Sequence, residues 1–172
     1  MIVTKMLLTL RELRFLVREA LDPTDPKTWE RFSPTSSPVE LWHVVTDVSS
    51  LDDVFRQGLL PGSESGAETA WGGSPAALVY FFTVSEPAAL LAQKLVDNGS
   101  QPVVLHLRVP AKMLAKLDPR IDPEEEFSGA SVAFLPDKRF VINALVSVYT
   151  DAPAASVLKR HRERLCPLSD LS

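Results

Sequence analysis

The sequence lacks the residues and runs that mark a secreted or membrane protein. Its 172 residues include one cysteine, Cys166, so an internal disulfide and a cysteine-based zinc cluster are both excluded. No apolar run approaches the roughly eighteen residues that a membrane span needs. The N-terminus also lacks the pattern of a secretory signal peptide. These absences predict a cytoplasmic protein that has no membrane partner.

The common catalytic and metal-binding motifs are also missing. The chain has no glycine-rich phosphate loop, no GxSxG nucleophile motif and no HExxH zinc motif. Its three histidines, His43, His106 and His161, fall on three different predicted elements, without the spacing of a metal site. We therefore predict that the chain has no metal centre.

The charge of the chain says little about its partners. Eighteen lysines and arginines against 22 aspartates and glutamates leave a net charge of −4. This value does not indicate bulk attraction to nucleic acid or to an anionic membrane, although a local basic patch is compatible with it. With 45% apolar and 23% charged residues, the composition is that of a globular protein.

Residues 1–37 are predicted to form an amphipathic helix and a proline-rich linker that pack on the rest of the chain. The apolar side chains that repeat at helical spacing are Leu10, Leu13, Val17 and Leu21. The arginines between them are Arg11, Arg14 and Arg18. Such a stripe usually faces a protein core, and a basic helix on a membrane surface is the alternative interpretation.

Residues 38–150 are predicted to form the main domain, and residues 151–172 a basic C-terminal helix and tail. The predicted strands are Val39–Val45, Ala77–Thr83, Pro102–Val109, Ser131–Leu135 and Arg139–Tyr149. One predicted helix starts at Leu51. Three others cover Glu86–Val96, Ala111–Leu117 and Ala154–Leu165. Strands with unevenly interspersed helices favour an α+β fold over a strict alternation of strand and helix.

Two polar side chains inside apolar strands are the most informative feature of the main domain. His43 lies in the strand LWHVVT, and Tyr80 lies in the strand ALVYFFT. Between them, SLDDVFRQGLLP is a short amphipathic helix that ends at Gly58. A glycine- and serine-rich loop comes next, which contains Trp71, and after the second strand the segment VSEPAALLA begins another helix.

This order of elements resembles the ADP-ribosyltransferase fold of the histidine–tyrosine class. There, a strand with histidine, a short helix ending in Gly-Leu, a variable loop, a strand with tyrosine and a helix succeed one another. The resemblance covers about residues 39–109 and, more weakly, 110–149. It is closest to small prokaryotic members such as rifampin ADP-ribosyltransferases and DarT-type DNA ADP-ribosyltransferases. It implies split, mixed or antiparallel β-sheets with short flanking helices.

The resemblance implies NAD as the cofactor. His43 would hydrogen-bond a ribose hydroxyl of the adenosine half, and Tyr80 would form the opposite wall of the cleft, stack on the nicotinamide ring and take part in catalysis. Thr46 is implied as a polar neighbour, and Trp71 as a further cofactor contact. The implied chemistry is attack on the nicotinamide ribose C1, where a carboxylate stabilises the developing positive charge.

The resemblance leaves the third catalytic residue open. Family members commonly carry Glu, Gln or Asp near the start of a late strand, where this chain has Ser131. The rifampin-modifying members use an aspartate in a loop ahead of the late strands, which makes Asp118 and Asp122 the candidates here. An acidic loop that simply faces solvent is the alternative.

The function expected from the resemblance is NAD-dependent transfer of ADP-ribose to a small molecule, a nucleic acid or a protein. A catalytically inactive nucleotide- or protein-binding module on the same fold is the alternative, favoured by the missing late-strand glutamate. The RNA 2′-phosphotransferases share the fold and give a third hypothesis. That chemistry needs several arginines around a phosphate, whereas residues 41–83 contain Arg56 alone.

Overall fold

A computed structural model of the chain gives the positions of its central elements. The residues described are 30–60, 79–121, 131–134, 140, 142, 144–152, 159 and 163–171. The predicted N-terminal amphipathic helix, Trp71, Asp122 and most of the predicted C-terminal helix lie outside these residues.

The described chain combines one β-sheet with short helices, which confirms the predicted α+β class. Its strands are β1 (Val39–Val45), β2 (Val79–Phe82), β3 (Val103–Val109), β4 (Arg120–Ile121), β5 (Ser131–Phe134), β6 (Leu145–Tyr149) and β7 (Leu165–Cys166). Its α-helices are α1 (Leu51–Gln57), α2 (Ser85–Asp97) and α3 (Ala111–Lys116), and its 3-10 turns are Val48–Ser50 and Leu168–Leu171. None of the described helices has the length and hydrophobicity to span a bilayer.

The sheet has the strand order β4-β5-β2-β1-β3-β6-β7, and β1 lies at its centre. Neighbouring strands are antiparallel except for β6 and β7, which are parallel, so the sheet is mixed. β1 pairs with β3 along its whole length, from Val39 opposite Val109 to Val45 opposite Val103. This long pairing fixes which face of the sheet each side chain of the two strands occupies.

The two faces of the sheet pack against different elements. Successive side chains of a strand point to opposite faces, and alternate residues of β1 and β3, among them Leu41, Leu105 and Leu107, enter the main core. The main core also includes Leu51, Leu59, Phe81, Leu114 and Phe140. The other face, which we call the α2 face, packs on α2 through the stripe Ala88, Leu91, Ala92 and Leu95.

The polar cap before α1 comes from outside the helix. Ser50 occupies the N-cap position of α1, but its side chain makes no capping hydrogen bond. Instead, a carboxylate oxygen of Asp47 accepts from the backbone N–H of Ser49, 3.0 Å away, at the start of the 3-10 turn that leads into α1. The 3-10 turn runs into α1 without a break. The unpaired N–H groups at the start of the combined segment therefore belong to the turn, and Asp47 caps them there.

Two predicted elements have bounds that differ from the prediction. The strand predicted over Arg139–Tyr149 begins only at Leu145, because Phe140 forms an isolated bridge with Leu59 at the end of α1. The C-terminal helix predicted to reach Leu165 is also wrong at its end. Leu165 begins β7 and pairs in parallel with Val148, so sheet pairing outcompetes helix there.

Gly58 ends α1 in a backbone conformation that other residues avoid. Its φ is 83° and its ψ is 178°, and its N–H donates to the carbonyl oxygen of Val54. This region of φ and ψ is essentially restricted to glycine, and forcing another residue into it costs on the order of 1–3 kcal/mol. The conformation directs the chain from α1 to Leu59, which is buried in the main core.

We therefore expect Gly58→Ala to lower the free energy of unfolding by about 1–3 kcal/mol. Chemical denaturation measured by circular dichroism tests this expectation. Gln57→Ala is the matched control, since Gln57 is the exposed last residue of α1, and its effect should stay within about 0.5 kcal/mol. Equal stability of the two variants would contradict the proposed strain at Gly58.

Candidate functional site

His43 lies in the central strand and is held by the neighbouring strand. Its ring Nδ1 is 2.7 Å from the carbonyl oxygen of Tyr80. Because a carbonyl oxygen only accepts, Nδ1 carries the proton and donates it. In the neutral ring Nε2 then carries a lone pair, and no described residue hydrogen-bonds to it. The bond therefore fixes both the tautomer and the orientation of the imidazole.

The surroundings of His43 keep its ring uncharged. Burial lowers the pKa of His43 to about 4, although the hydrogen bond to the Tyr80 carbonyl acts in the opposite direction. An aromatic neighbour, Phe81, lies on the same face with its ring centroid 5.3 Å from that of His43 and a tilt of 50°. Phe81 is itself backed by Phe140 at 5.1 Å. At neutral pH the ring is therefore a neutral hydrogen-bond acceptor in an aromatic setting.

Tyr80 does not bring its ring to His43. The register of β1 and β2 places Trp42 opposite Phe82, and strand alternation then puts Phe81 on the same face as His43. Tyr80 and Phe82 point to the other face, and Phe82 indeed packs in the α2 core. The predicted cleft with the His43 and Tyr80 rings on opposing walls is thus not formed, because the two rings lie on opposite faces of the sheet. The carbonyl of Tyr80 is the group that reaches His43.

Thr46 stands one residue beyond the C-terminal end of β1 and is partly buried. No hydrogen bond between Thr46 and His43 occurs in the described part of the chain. The structure brings Thr46 near the end of the strand that carries His43, but it does not join the two side chains. Its predicted contact with a cofactor stays a prediction, as does that of Trp71, which lies outside the described residues.

Asp118 lies far from His43, between α3 and the edge strand β4. Two guanidinium groups hold its carboxylate: Nη2 of Arg120 is 2.9 Å from Oδ2, and Nε of Arg31 is 3.4 Å from Oδ1. Its φ of 50° is in the left-handed region, which aspartate tolerates better than most residues. Since β5 and β2 separate β4 from β1, about three strand spacings, or about 14 Å, lie between Asp118 and the central strand.

A second polar cluster lies on the α2 face. Oε2 of Glu40 is 2.6 Å from Nε2 of His106, and Oε1 of Glu40 accepts from Nε of Arg108 at 2.6 Å. The His106 ring stacks on Trp42 with centroids 4.7 Å apart and planes 2° from parallel. The partners of His106 and Arg108 on β1 follow from the register of the two strands, which the sequence alone does not give.

The charges of this second cluster balance one another. Burial alone raises the pKa of Glu40, but hydrogen bonds from Arg108 and His106 outweigh it, so the pKa lies below its usual value. Glu40 and Arg108 face each other directly across β1 and β3, where opposite charges stabilise the pairing of strands. The cluster is therefore explained as a polar clamp between the two longest strands.

Outside these two sites the described residues hold few further candidates. No group of three or more His, Cys, Asp or Glu side chains that could hold a metal ion occurs among the described residues. No protein-family model matches the chain, and no curated protein matches it either. The geometry around His43 consequently carries the functional argument.

The lowered pKa of the partly buried His43 predicts a specific pH dependence of stability. The unfolded chain takes up a proton on this residue near pH 6.5 and the folded chain near pH 4. Between these values the unfolded state binds more protons, so the free energy of unfolding falls as the pH is lowered. The contribution is fully present above pH 6.5 and decreases by on the order of 3 kcal/mol towards pH 4.

Urea denaturation of the parent and of His43→Gln, which has no titrating ring, measures this effect. The difference in unfolding free energy between the two should shrink steadily as the pH falls from 6.5 to 4. In the parent protein, nitrogen NMR shifts of the His43 ring should report the Nδ1–H tautomer at neutral pH. A pH-independent difference would contradict a lowered pKa of His43 in the folded protein.

The polar clamp gives a second prediction. Replacing the charge in Glu40→Gln should lower the free energy of unfolding by about 1 kcal/mol, the usual scale for partly exposed pairs. A double-mutant cycle with Arg108→Met should show a coupling energy of the same sign. Glu30→Gln, at an exposed carboxylate, is the control and should be neutral. Strict additivity of Glu40→Gln and Arg108→Met would exclude a clamp.

Proposed function

We propose that this chain is an NAD-dependent ADP-ribosyltransferase that transfers ADP-ribose to an acceptor and releases nicotinamide. The proposal includes an ADP-ribosyltransferase-like fold for the main domain. Its main support is the order of elements around one histidine: β1 with His43, α1 ending at Gly58, β2 and then α2. This is the order that the sequence resemblance implies.

The state of His43 fits the role of a cofactor anchor. A neutral ring with Nδ1–H donated to the Tyr80 carbonyl presents Nε2 as an acceptor. A ribose hydroxyl can donate to such an atom, and the low pKa keeps the atom unprotonated at neutral pH. Because the ring is already oriented by a hydrogen bond and an aromatic contact, little freedom is lost when it binds a ligand.

The division of roles in this proposal rests on the geometry. NAD supplies, when bound, the electrophilic C1 of the nicotinamide ribose. His43 accepts a hydrogen bond from the adenosine ribose, and the main chain of Tyr80 positions His43. The ring of Tyr80 lies on the other face of the sheet, so Trp71 is the remaining candidate among the predicted residues for stacking on nicotinamide. The acceptor is a small molecule, a nucleic acid or a protein.

A nucleotide-binding module without transferase activity is the second candidate, and one observation favours it. Asp118, one of the two candidates for the catalytic acid, is paired with Arg31 and Arg120 at the edge of the sheet. A carboxylate held in this way stabilises the local structure and has less negative potential to offer a reaction. RNA 2′-phosphotransfer lacks comparable support, since Arg56 is paired with Asp53.

Calorimetric titration with NAD and a nicotinamide-release assay test the proposal on the parent protein. Loss of one hydrogen bond of about 1 kcal/mol in His43→Ala should weaken NAD binding about fivefold. His106→Ala is the matched control, since His106 is on the adjacent strand but on the α2 face, and it should bind NAD as the parent does. Tyr80→Leu should also bind normally, because the carbonyl remains.

The outcomes separate the two candidates. NAD binding together with nicotinamide release supports the transferase, and binding without release supports the module. A parent that neither binds NAD nor releases nicotinamide refutes both. In an active protein, Asp118→Asn and Asp122→Asn identify the third catalytic residue, since the true acid should reduce release much more than binding.

A further inference from the structure

A row of three aromatic rings runs from His43 into the main core. The rings of His43 and Phe81 have centroids 5.3 Å apart and a tilt of 50°, and those of Phe81 and Phe140 have centroids 5.1 Å apart and a tilt of 58°. Both separations lie in the range that aromatic pairs prefer. Phe81 and Phe140 are buried, whereas His43 is partly buried. The polar ring is therefore packed against two buried rings that lie one behind the other.

The first two rings of the row lie on neighbouring strands. The pairing of Trp42 with Phe82 sets the register that places His43 beside Phe81. The hydrogen bond of 2.7 Å from His43 Nδ1 to the Tyr80 carbonyl oxygen joins the same two strands. A ring that is held at Cβ and at Nδ1 can still rock about the line between these two atoms. The contact with the Phe81 ring is therefore needed to fix the tilt of the imidazole.

The third ring comes from outside the strands of the sheet. Phe140 forms an isolated antiparallel bridge with Leu59. The N–H of Leu59 donates to the carbonyl oxygen of Phe140 at 2.9 Å, and the N–H of Phe140 donates to that of Leu59 at 3.3 Å. Leu59 directly follows Gly58, where α1 ends, and it is buried in the main core. The end of α1, and not the register of the sheet, therefore holds the backbone of Phe140.

These contacts close a circuit around residues 43–59. α1 follows β1 along the chain, and the end of α1 returns to His43 through Phe140 and then Phe81. Protein interiors are close-packed, so a side chain that loses its neighbour either moves or borders a void. Loss of the Phe140 ring therefore loosens Phe81, which is the aromatic neighbour of His43.

From these contacts we infer that Phe140 is a positioning residue for His43. It acts through Phe81, which it holds against the imidazole, so that Nε2 keeps one direction while Nδ1 donates to the Tyr80 carbonyl. An acceptor that is oriented in advance loses little freedom when it binds a ligand, so Phe140 contributes to NAD affinity by way of His43. The part that Phe140 has in nucleotide binding rests on the proposed function, but the orientation of the His43 ring is measurable without a ligand.

The state of the His43 ring in Phe140→Leu tests this role. Leucine keeps an apolar side chain at the buried position and removes only the ring. We expect the pKa of His43 to rise from about 4 towards its ordinary value of 6.5, because an imidazole that rocks away from its packed position is better solvated. The measurement is an NMR titration of the ring nitrogens and carbons, in which His43→Gln identifies the His43 signals. Phe140→Met is a second variant that should give the same rise, since its flexible side chain fills irregular gaps.

Phe82→Leu is the matched control. Phe82 is the chain neighbour of Phe81 on β2 and is also buried, but it packs in the α2 core on the other face of the sheet. This variant should leave the pKa and the tautomer of His43 as they are in the parent. Parent-like His43 signals in Phe140→Leu and Phe140→Met would overturn the positioning role. An equal rise of the pKa in Phe82→Leu would overturn it too, because it would show a general loosening of the sheet.

Calorimetric titration with NAD connects the ring to binding. Phe140→Leu should weaken NAD binding by no more than the loss of about fivefold expected for His43→Ala. In the His43→Ala background it should cause no further loss, because it acts through the ring that is already absent. Parent-like affinity of Phe140→Leu, or a further loss in that background, would overturn the role in binding. A parent that does not bind NAD refutes the proposed function, and the NMR comparison then decides the positioning of His43 by itself.

Discussion

The structure depends on the full-length pairing of β1 with β3 at the centre of the sheet. Seven successive residue pairs fix the register, and a shift by one residue would exchange the two faces of both strands. In the observed register Leu41 and Leu105 enter the main core, whereas Glu40 meets Arg108 on the other side. The apolar core and the polar clamp therefore stabilise the same register, one from each face.

The same register decides the chemistry of His43. It places a polar ring among apolar side chains, where a charged imidazole is costly and an unpaired N–H is costly too. The Tyr80 carbonyl resolves the second problem, and the first problem is the cause of the lowered pKa. The result is a neutral, oriented acceptor atom in the middle strand of the sheet. A histidine with a purely structural role needs only a paired N–H and a neutral ring. A histidine that binds a nucleotide needs the same neutral, oriented ring.

The sequence predicted the elements much better than it predicted which residues meet. Periodicity placed β1, α1, α2 and β3 within a residue or two of their bounds, because alternation and helical stripes are local properties. Periodicity could not place the Tyr80 ring relative to His43, since the register between the two strands decides whether two side chains lie on the same face of the sheet. For the same reason the sequence could not predict that Glu40 contacts His106 and Arg108. The competition between helix and sheet at Leu165 is likewise a tertiary effect.

A transferase on this scaffold needs a source of negative charge. Charge that develops at a ribose carbon is stabilised by a carboxylate aimed at it in a site of low dielectric. On the main-core face, β1, β2 and β3 carry no acidic residue. Asp118 shares its charge with two guanidinium groups at the far edge. If transfer occurs, the carboxylate therefore comes from beyond the central strands. Asp122, which follows β4 directly in the sequence, is the other candidate for this carboxylate.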